Sequence, residues 1–89
     1  NLTQTLIDLK KKGFWIVSAE AYQGVDYHTI DYHMPLVLVV GSEGFGISQL
    51  VKKQSDFNVY IPMVGKVNSL NVSVATAILL AHIQNQKRQ

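Results

Sequence analysis

The chain has 89 residues, 47% of them hydrophobic and 16% charged, with a net charge of +2, which is too apolar for a disordered tail and long enough for one modest core. It contains no cysteine, which excludes disulfides and thiol catalysis. No apolar run reaches the roughly 18 residues that crossing a bilayer requires, and Asn1 to Lys12 lacks the layout of a signal peptide.

Leu2, Leu6 and Leu9 recur at helical spacing, lysines follow, and Gly13 is placed to end the turn, so the first element is a helix. Phe14 to Ser18 is a short apolar run after that glycine and reads as a strand, with Phe14 and Trp15 expected in the core. Glu20 to Pro35 mixes polarity around Gly24, Tyr22, Tyr27, Tyr32, His28 and His33. This is an irregular stretch with room for a short strand or turn. Leu36 to Val40 is continuously apolar, the pattern of a central parallel strand covered on both faces. A short helix from Ile47 or Ser48 to about Gln54, a strand over Asn58 to Ile61 and a terminal helix from Leu70 to about Gln86 complete the series. The alternation implies a mostly parallel sheet with helices on both faces, in a single domain.

Chemistry concentrates at two junctions. Gly41-Ser42-Glu43-Gly44-Phe45-Gly46-Ile47 follows a strand and precedes a helix, but its spacing is not that of a dinucleotide fingerprint. The acid at Glu43 disfavours a pyrophosphate and suits a neutral or cationic ligand; taken alone, such a loop is a tight turn. The second run is Ile61-Pro62-Met63-Val64-Gly65-Lys66-Val67-Asn68-Ser69-Leu70-Asn71-Val72-Ser73-Val74-Ala75. Here Pro62 ends a strand, and a polar loop delivers the chain into an apolar helix at the strand-to-helix edge where open α/β sheets place ligands. Lys66 and Asn68 lie in that loop, where a phosphate contact and plain solvation are both open to the lysine. Basic residues also cluster at Lys10 to Lys12, Lys52 and Lys53, and Lys87 and Arg88, which are positions that helix dipoles favour in any case. His28, His33 and His82 form no convincing metal set, and no metal is expected. The loop tyrosines suit either sheet-edge cover or stacking on RNA bases.

The run from Ile61 to Ala75 resembles, without a gap, the third motif of the SpoU/TrmH-type RNA ribose methyltransferases of the SPOUT class. The Gly41 to Ile47 segment is similar to the second motif. The resemblance implies a C-terminal trefoil knot, in which the segment from Leu70 onward threads a loop near Gly41 to Phe57, with Gly41, Gly44, Gly46 and Gly65 allowing close backbone approach. It further implies S-adenosylmethionine as methyl donor, 2'-O-methylation of a ribose in structured rRNA or tRNA, a homodimer built on the terminal helix, and a cytoplasmic, non-membrane setting.

Carried over residue by residue, Gly41, Ile61, Met63 and Leu70 match donor-binding positions. Glu43, Ser69 and Asn71 match the polar positions of the reaction centre, and Lys66 and Asn68 are candidates for RNA contact. Two structural alternatives accompany these roles: Ser69 as the cap of the last helix and Asn71 as a partner of loop carbonyls. The resemblance also marks a departure. Similar enzymes carry an asparagine and an arginine in a first motif that precedes this stretch, whereas Arg88 in the tail is the only arginine here. Residues 1–89 therefore correspond to the C-terminal portion of such a catalytic domain. A non-catalytic, dimerising unit that binds donor or RNA stands as the alternative, and an unrelated nucleotide-binding α/β domain as a third.

Overall fold

A computed structural model of the chain describes residues 1–21, 23–41, 47–62 and 71–89. Helix α1 (Leu2–Lys11) leads into strand β1 (Trp15–Glu20), then β2 (Val25–Asp26) and a single 3-10 turn (Tyr27–Thr29). Strand β3 (Leu36–Val39), helix α2 (Gln49–Gln54), strand β4 (Phe57–Tyr60) and helix α3 (Val72–Lys87) follow. The strands form one parallel sheet in the order β2-β4-β1-β3.

Local chemistry sets the helix ends. Asn1 caps α1 by accepting from the Gln4 N–H at 3.1 Å. At the other end Gly13 takes a φ of +97°, the Phe14 N–H reaches the Leu9 carbonyl at 3.1 Å, and the Gly13 N–H reaches Lys10 at 3.0 Å. These two bonds make a Schellman closure, so the glycine expected to stop the helix does so. Ser48 caps α2 through the Val51 N–H. Gly24, at φ +102°, passes so close to β4 that a Cβ there would lie 2.1 Å from the Asn58 carbonyl oxygen. Only glycine fits that crossing.

The sheet buries both faces. Leu6 of α1, Ile16 of β1 and Val51 of α2 pack on one side with Val37 and Val39. Val17, Val59 and Tyr32 pack on the other with Leu79 and Ile83 of α3. Each cluster draws alternate residues of the same strands, as the pleat requires. Asp56 stitches the start of β4 to β1: its carboxylate accepts the Ile16 N–H at 2.7 Å and its own N–H reaches the Ile16 carbonyl at 2.8 Å.

Three expectations change. Trp15 is 45% exposed rather than core, because it opens β1 at the sheet rim and stacks one face on Phe57. Strand β3 has both faces covered, yet among the described residues it is an edge strand paired only with β1. Its continuous apolar pattern records facial cover and is silent about lateral neighbours. Tyr32 is fully buried, its hydroxyl donating to the Tyr27 carbonyl at 2.7 Å, so it cannot stack on a base. The threading expected of the last segment rests on residues 42–46 and 63–70, among them Gly44, Gly46 and Gly65, which lie outside the described residues.

Adjacent leucines on α3 test the packing. Leu79 is 1% exposed and Leu80 is 51% exposed. Leu79→Ala is expected to destabilise the chain by about 2–5 kcal/mol in urea unfolding, and Leu80→Ala by about 0.5 kcal/mol or less. Equal losses would contradict this placement of the helix.

Candidate functional site

Parallel pairing brings the C-terminal ends of three neighbouring strands to one rim. Ser18 lies opposite Val39, and Glu20 lies opposite Tyr60. Continuing those registers sets Gly41 level with Glu20 and Ile61 level with Ala21, on either side of β1. The two flanking chains are thus about 10 Å apart, twice the usual strand spacing. Pro62 has no N–H to continue the ladder, so strand pairing stops where a ligand's edge could take over the backbone groups. Gly41 and Ile61 are both half-buried.

Glu20 is a feature that sequence reasoning passed over. It ends β1 on the face that carries Ile16, and its side chain is 11% exposed. Its Oε1 lies 3.2 Å from Lys52 Nζ of α2, off the direction of a hydrogen bond, and has no hydrogen-bond partner. The buried Asn58 Oδ1 on β4 likewise has none. Beneath them Ser18, fully buried, contacts the Ser55 hydroxyl, which donates to the Val51 carbonyl at 3.2 Å. An apolar strand that ends in a charged residue at its C-terminal edge was the available signal.

Helix α3 begins with Asn71, which accepts from the Ser73 N–H at 2.8 Å and is exposed. Asn71 is therefore the cap, the structural job that the sequence offered to Ser69, and the helix starts two residues after the Leu70 expected. With its carbonyl oxygen engaged, the Asn71 amide group retains two N–H donors for a ligand or loop. Glu43, Met63, Lys66, Asn68, Ser69 and Leu70 lie outside the described residues.

The histidines serve a different place, the docked end of α3. Gln86 accepts from the Tyr32 N–H at 2.7 Å and donates to the Ile30 carbonyl at 2.9 Å, while Lys87 donates to the Met34 carbonyl at 2.8 Å. His33 bridges the Asp31 carboxylate and the Gln86 carbonyl, each at 2.6 Å. Hydrogen bonding to Asp31, then to Gln86, raises the His33 pKa, and hydrogen bonds from the His33 backbone N–H and ring lower that of Asp31. His82 packs edge-on to Tyr27 and Tyr32 beside His28, and burial, then the His28 charge, lowers its pKa. Burial, then the charge of Asp26, pushes Tyr32 up to about 12. Among the described residues no group of three or more His, Cys, Asp or Glu is placed to hold a metal ion.

The chain matches the SpoU rRNA Methylase family over residues 1–81. It is similar to a TrmH family relative from Staphylococcus haemolyticus, at 46% identity over 89 residues, 100% of this chain and 36% of that protein. The A. aeolicus TrmH/SpoU tRNA modifying enzyme superposes with a TM-score of 0.90 at 42% identity, over 99% of this chain and 45% of its own. An AdoMet-bound rRNA methyltransferase from Sinorhizobium meliloti gives a TM-score of 0.84 at 32% identity, over 93% of this chain and 33% of its own. This chain belongs to the SpoU rRNA methylase family, and it spans less than half the length of these relatives.

The docked end of α3 carries a test by pH. His33, with its pKa raised, stabilises the fold fully below its ordinary value of about 6.5, and this contribution is lost as pH rises through the raised value. His82 has the opposite sign: its contribution is present above about 6.5 and is lost as pH falls through the lowered value. NMR titration of the imidazole signals is expected to place His33 above that value and His82 below it; the reverse order would contradict the docking.

Proposed function

We propose that the polypeptide containing this chain transfers a methyl group from S-adenosylmethionine to a ribose 2'-hydroxyl of structured rRNA or tRNA. The observation that supports this best is the open rim of three parallel strand ends, with Gly41 and Ile61 flanking β1, in a chain of the SpoU family. The donor, when bound, supplies an electrophilic methyl group on a sulfonium. Backbone groups of Gly41, Ile61 and Leu70, with Met63 beside them, bind and orient its adenosine. Rigid strand ends suit that job because they need little reorganisation. Glu20 Oε1 is a buried acceptor without a hydrogen bond, able to satisfy a ligand hydroxyl or ammonium group. The Asn71 amide donates toward donor or ribose, and Glu43 and Ser69 position the acceptor. Lys66 and Asn68 hold RNA phosphate or sugar. The trefoil knot, formed as residues from Leu70 onward pass through the loop after Gly41, and a cytoplasmic setting belong to the same reading.

A second reading has one specific observation behind it. The sole arginine, Arg88, follows the C-terminal end of α3, at the edge of the sheet remote from Gly41 and Ile61. If ribose activation requires an arginine from a preceding first motif, residues 1–89 form a donor-binding unit with little activity alone. Calorimetry is expected to show S-adenosylmethionine or its demethylated product binding this chain, with ATP and NAD binding far less. Glu20→Gln is expected to weaken donor binding about tenfold or more, the scale of a hydrogen bond to a charged group. Methyl transfer to RNA should be slight for residues 1–89 and restored by upstream sequence. Tight ATP binding with no response to either methionine derivative would reject the reading.

The unit also pairs as a homodimer through α3. From sequence this contact is expected on the face that carries Ile78 and His82, but Ile78 is half-buried and His82 packs on its own chain, while Val74, Ala77, Leu80 and Ala81 are exposed. Small residues in such a stripe let two helices approach closely, and two-fold symmetry makes the contact self-complementary. Sedimentation is expected to give a dimer at micromolar concentration and a monomer for a folded Val74→Glu/Leu80→Glu chain. A wild-type monomer would defeat the assignment.

A further inference from the structure

Among the described residues, the sheet edge opposite the candidate donor site collects Lys10, Lys11, Lys12, Lys53, Lys87 and Arg88, while Lys52 pairs with Glu20 at the other end of β1. Helices α1 and α2 both end there: Lys10 Nζ of α1 donates to the carbonyl of Gln54, the last residue of α2, at 3.1 Å and lies 3.5 Å from the Asp56 carboxylate. That contact ties the ends of α1 and α2 together, and Lys11, Lys12 and Lys53 in those last turns are all exposed. Helix α3 ends at the same edge, where Lys87 and Arg88 join Phe14, Pro35 and Leu36 in lining a cavity of about 500 Å³. Two nearby carboxylates are already engaged, Asp56 by Lys10 and the Ile16 N–H and Asp31 by His33, while Asp8 on α1 keeps an exposed charge with Gln4 as its hydrogen-bond donor. Within this rim stands Trp15, the only tryptophan of the chain, 45% exposed and stacked on Phe57 at 5.8 Å between ring centroids. Helix-end lysines alone are ordinary. A half-open indole backed by a second ring, on a rim where three helices end in exposed cations, suits an unpaired nucleotide, with a base on the ring and phosphates on the cations.

We propose that this rim is a second RNA-contact surface, distinct from the strand-end site, on which Trp15 stacks an unpaired base while Lys11, Lys12, Lys53 and Arg88 hold the adjoining phosphates. The inference rests on the proposed RNA substrate and assigns to it a single-stranded or looped element lying away from the methylated ribose. An exposed aromatic rim could instead meet a second copy of the chain, but the like charge of Lys11, Lys12, Lys53 and Arg88 opposes self-contact at Trp15 and favours a polyanion there, leaving pairing to the uncharged stripe of α3.

Trp15 reports on itself. The 89-residue chain would be titrated with a tRNA transcript and, separately, with a fully paired RNA duplex, following intrinsic fluorescence and, independently, the anisotropy of labelled RNA. The expected result is quenching by the looped RNA and little by the duplex. Trp15→Ala should weaken binding of the looped RNA by about fivefold or more, and Trp15→Phe should restore most of it. Lys11→Glu/Lys12→Glu/Lys53→Glu should flatten the dependence of log affinity on log salt by about 2 to 3, at roughly 0.7–0.9 per phosphate contact. RNA binding by anisotropy with silent tryptophan fluorescence and an unchanged salt slope would overturn this surface while leaving the proposed function standing. Absence of any RNA binding would overturn this surface, while donor binding by calorimetry would still decide the proposed function. A fluorescence change that follows protein concentration without RNA would overturn the inference in favour of contact between copies.

Discussion

Four strands running the same way give the molecule two unlike ends, and most of its chemistry follows from that parallel pairing. Each strand needs a return crossover, so chain ends of one kind gather on each rim. On one rim backbone ladders stop at Gly41, Ala21 and Ile61, leaving oriented amides and carbonyls with the Glu20 carboxylate between them. On the other rim helices terminate, and their dipoles favour the lysines found there. The proposed donor site and the proposed outer RNA-contact surface are thereby separated by the length of a strand.

The elements were readable where a single local rule decides them. Gly13 could end α1 because the left-handed conformation there favours glycine, and the alternation of apolar helix with apolar strand left few options besides a parallel sheet. What escaped were properties that depend on neighbours distant in sequence. Trp15 has the composition of a core residue, but only the register with Leu36 and Phe57 shows that it stands at the rim. Leu36 to Val39 has the pattern of a strand with two covered faces, which an edge strand can also have. Asn71 and Ser69 sit two residues apart before the same helix, and either side chain is a competent cap. The choice depends on where the backbone turns. Of the candidate site, Gly41 and Ile61 were found through motif resemblance and are brought together by register, while Glu20 belongs to no motif and, beyond its place at the end of an apolar strand, stands out as a buried oxygen without a hydrogen bond.

The attachment of α3 shows how a short polar cluster can govern the position of a long helix. Gln86 uses both ends of its amide on one loop, satisfying the Tyr32 N–H and the Ile30 carbonyl together, and His33 and Lys87 close on either side. Those bonds set the depth at which Leu79 and Ile83 enter the core, and a helix of 16 residues carries that setting about 24 Å along its axis to Asn71. The geometry at the start of the helix is thus fixed partly by hydrogen bonds at its far end.

Strand β3 has a consequence for handling the chain. Its Leu-Val-Leu-Val backbone is paired with β1 on one side only among the described residues, it carries no charge, and its sole blunting residue is Pro35 just before it. An apolar strand with one free row of N–H and C=O groups is a template for another extended segment. In concentrated solution this edge offers these 89 residues a strand-against-strand association, leading to intermolecular sheet, in competition with ordered assembly through α3. A lysine at Val37 or Val39 would face the α1 and α2 side and disturb the core, so solubility is better improved from the ends of the strand, at Met34 or Val40, where a charge can reach water.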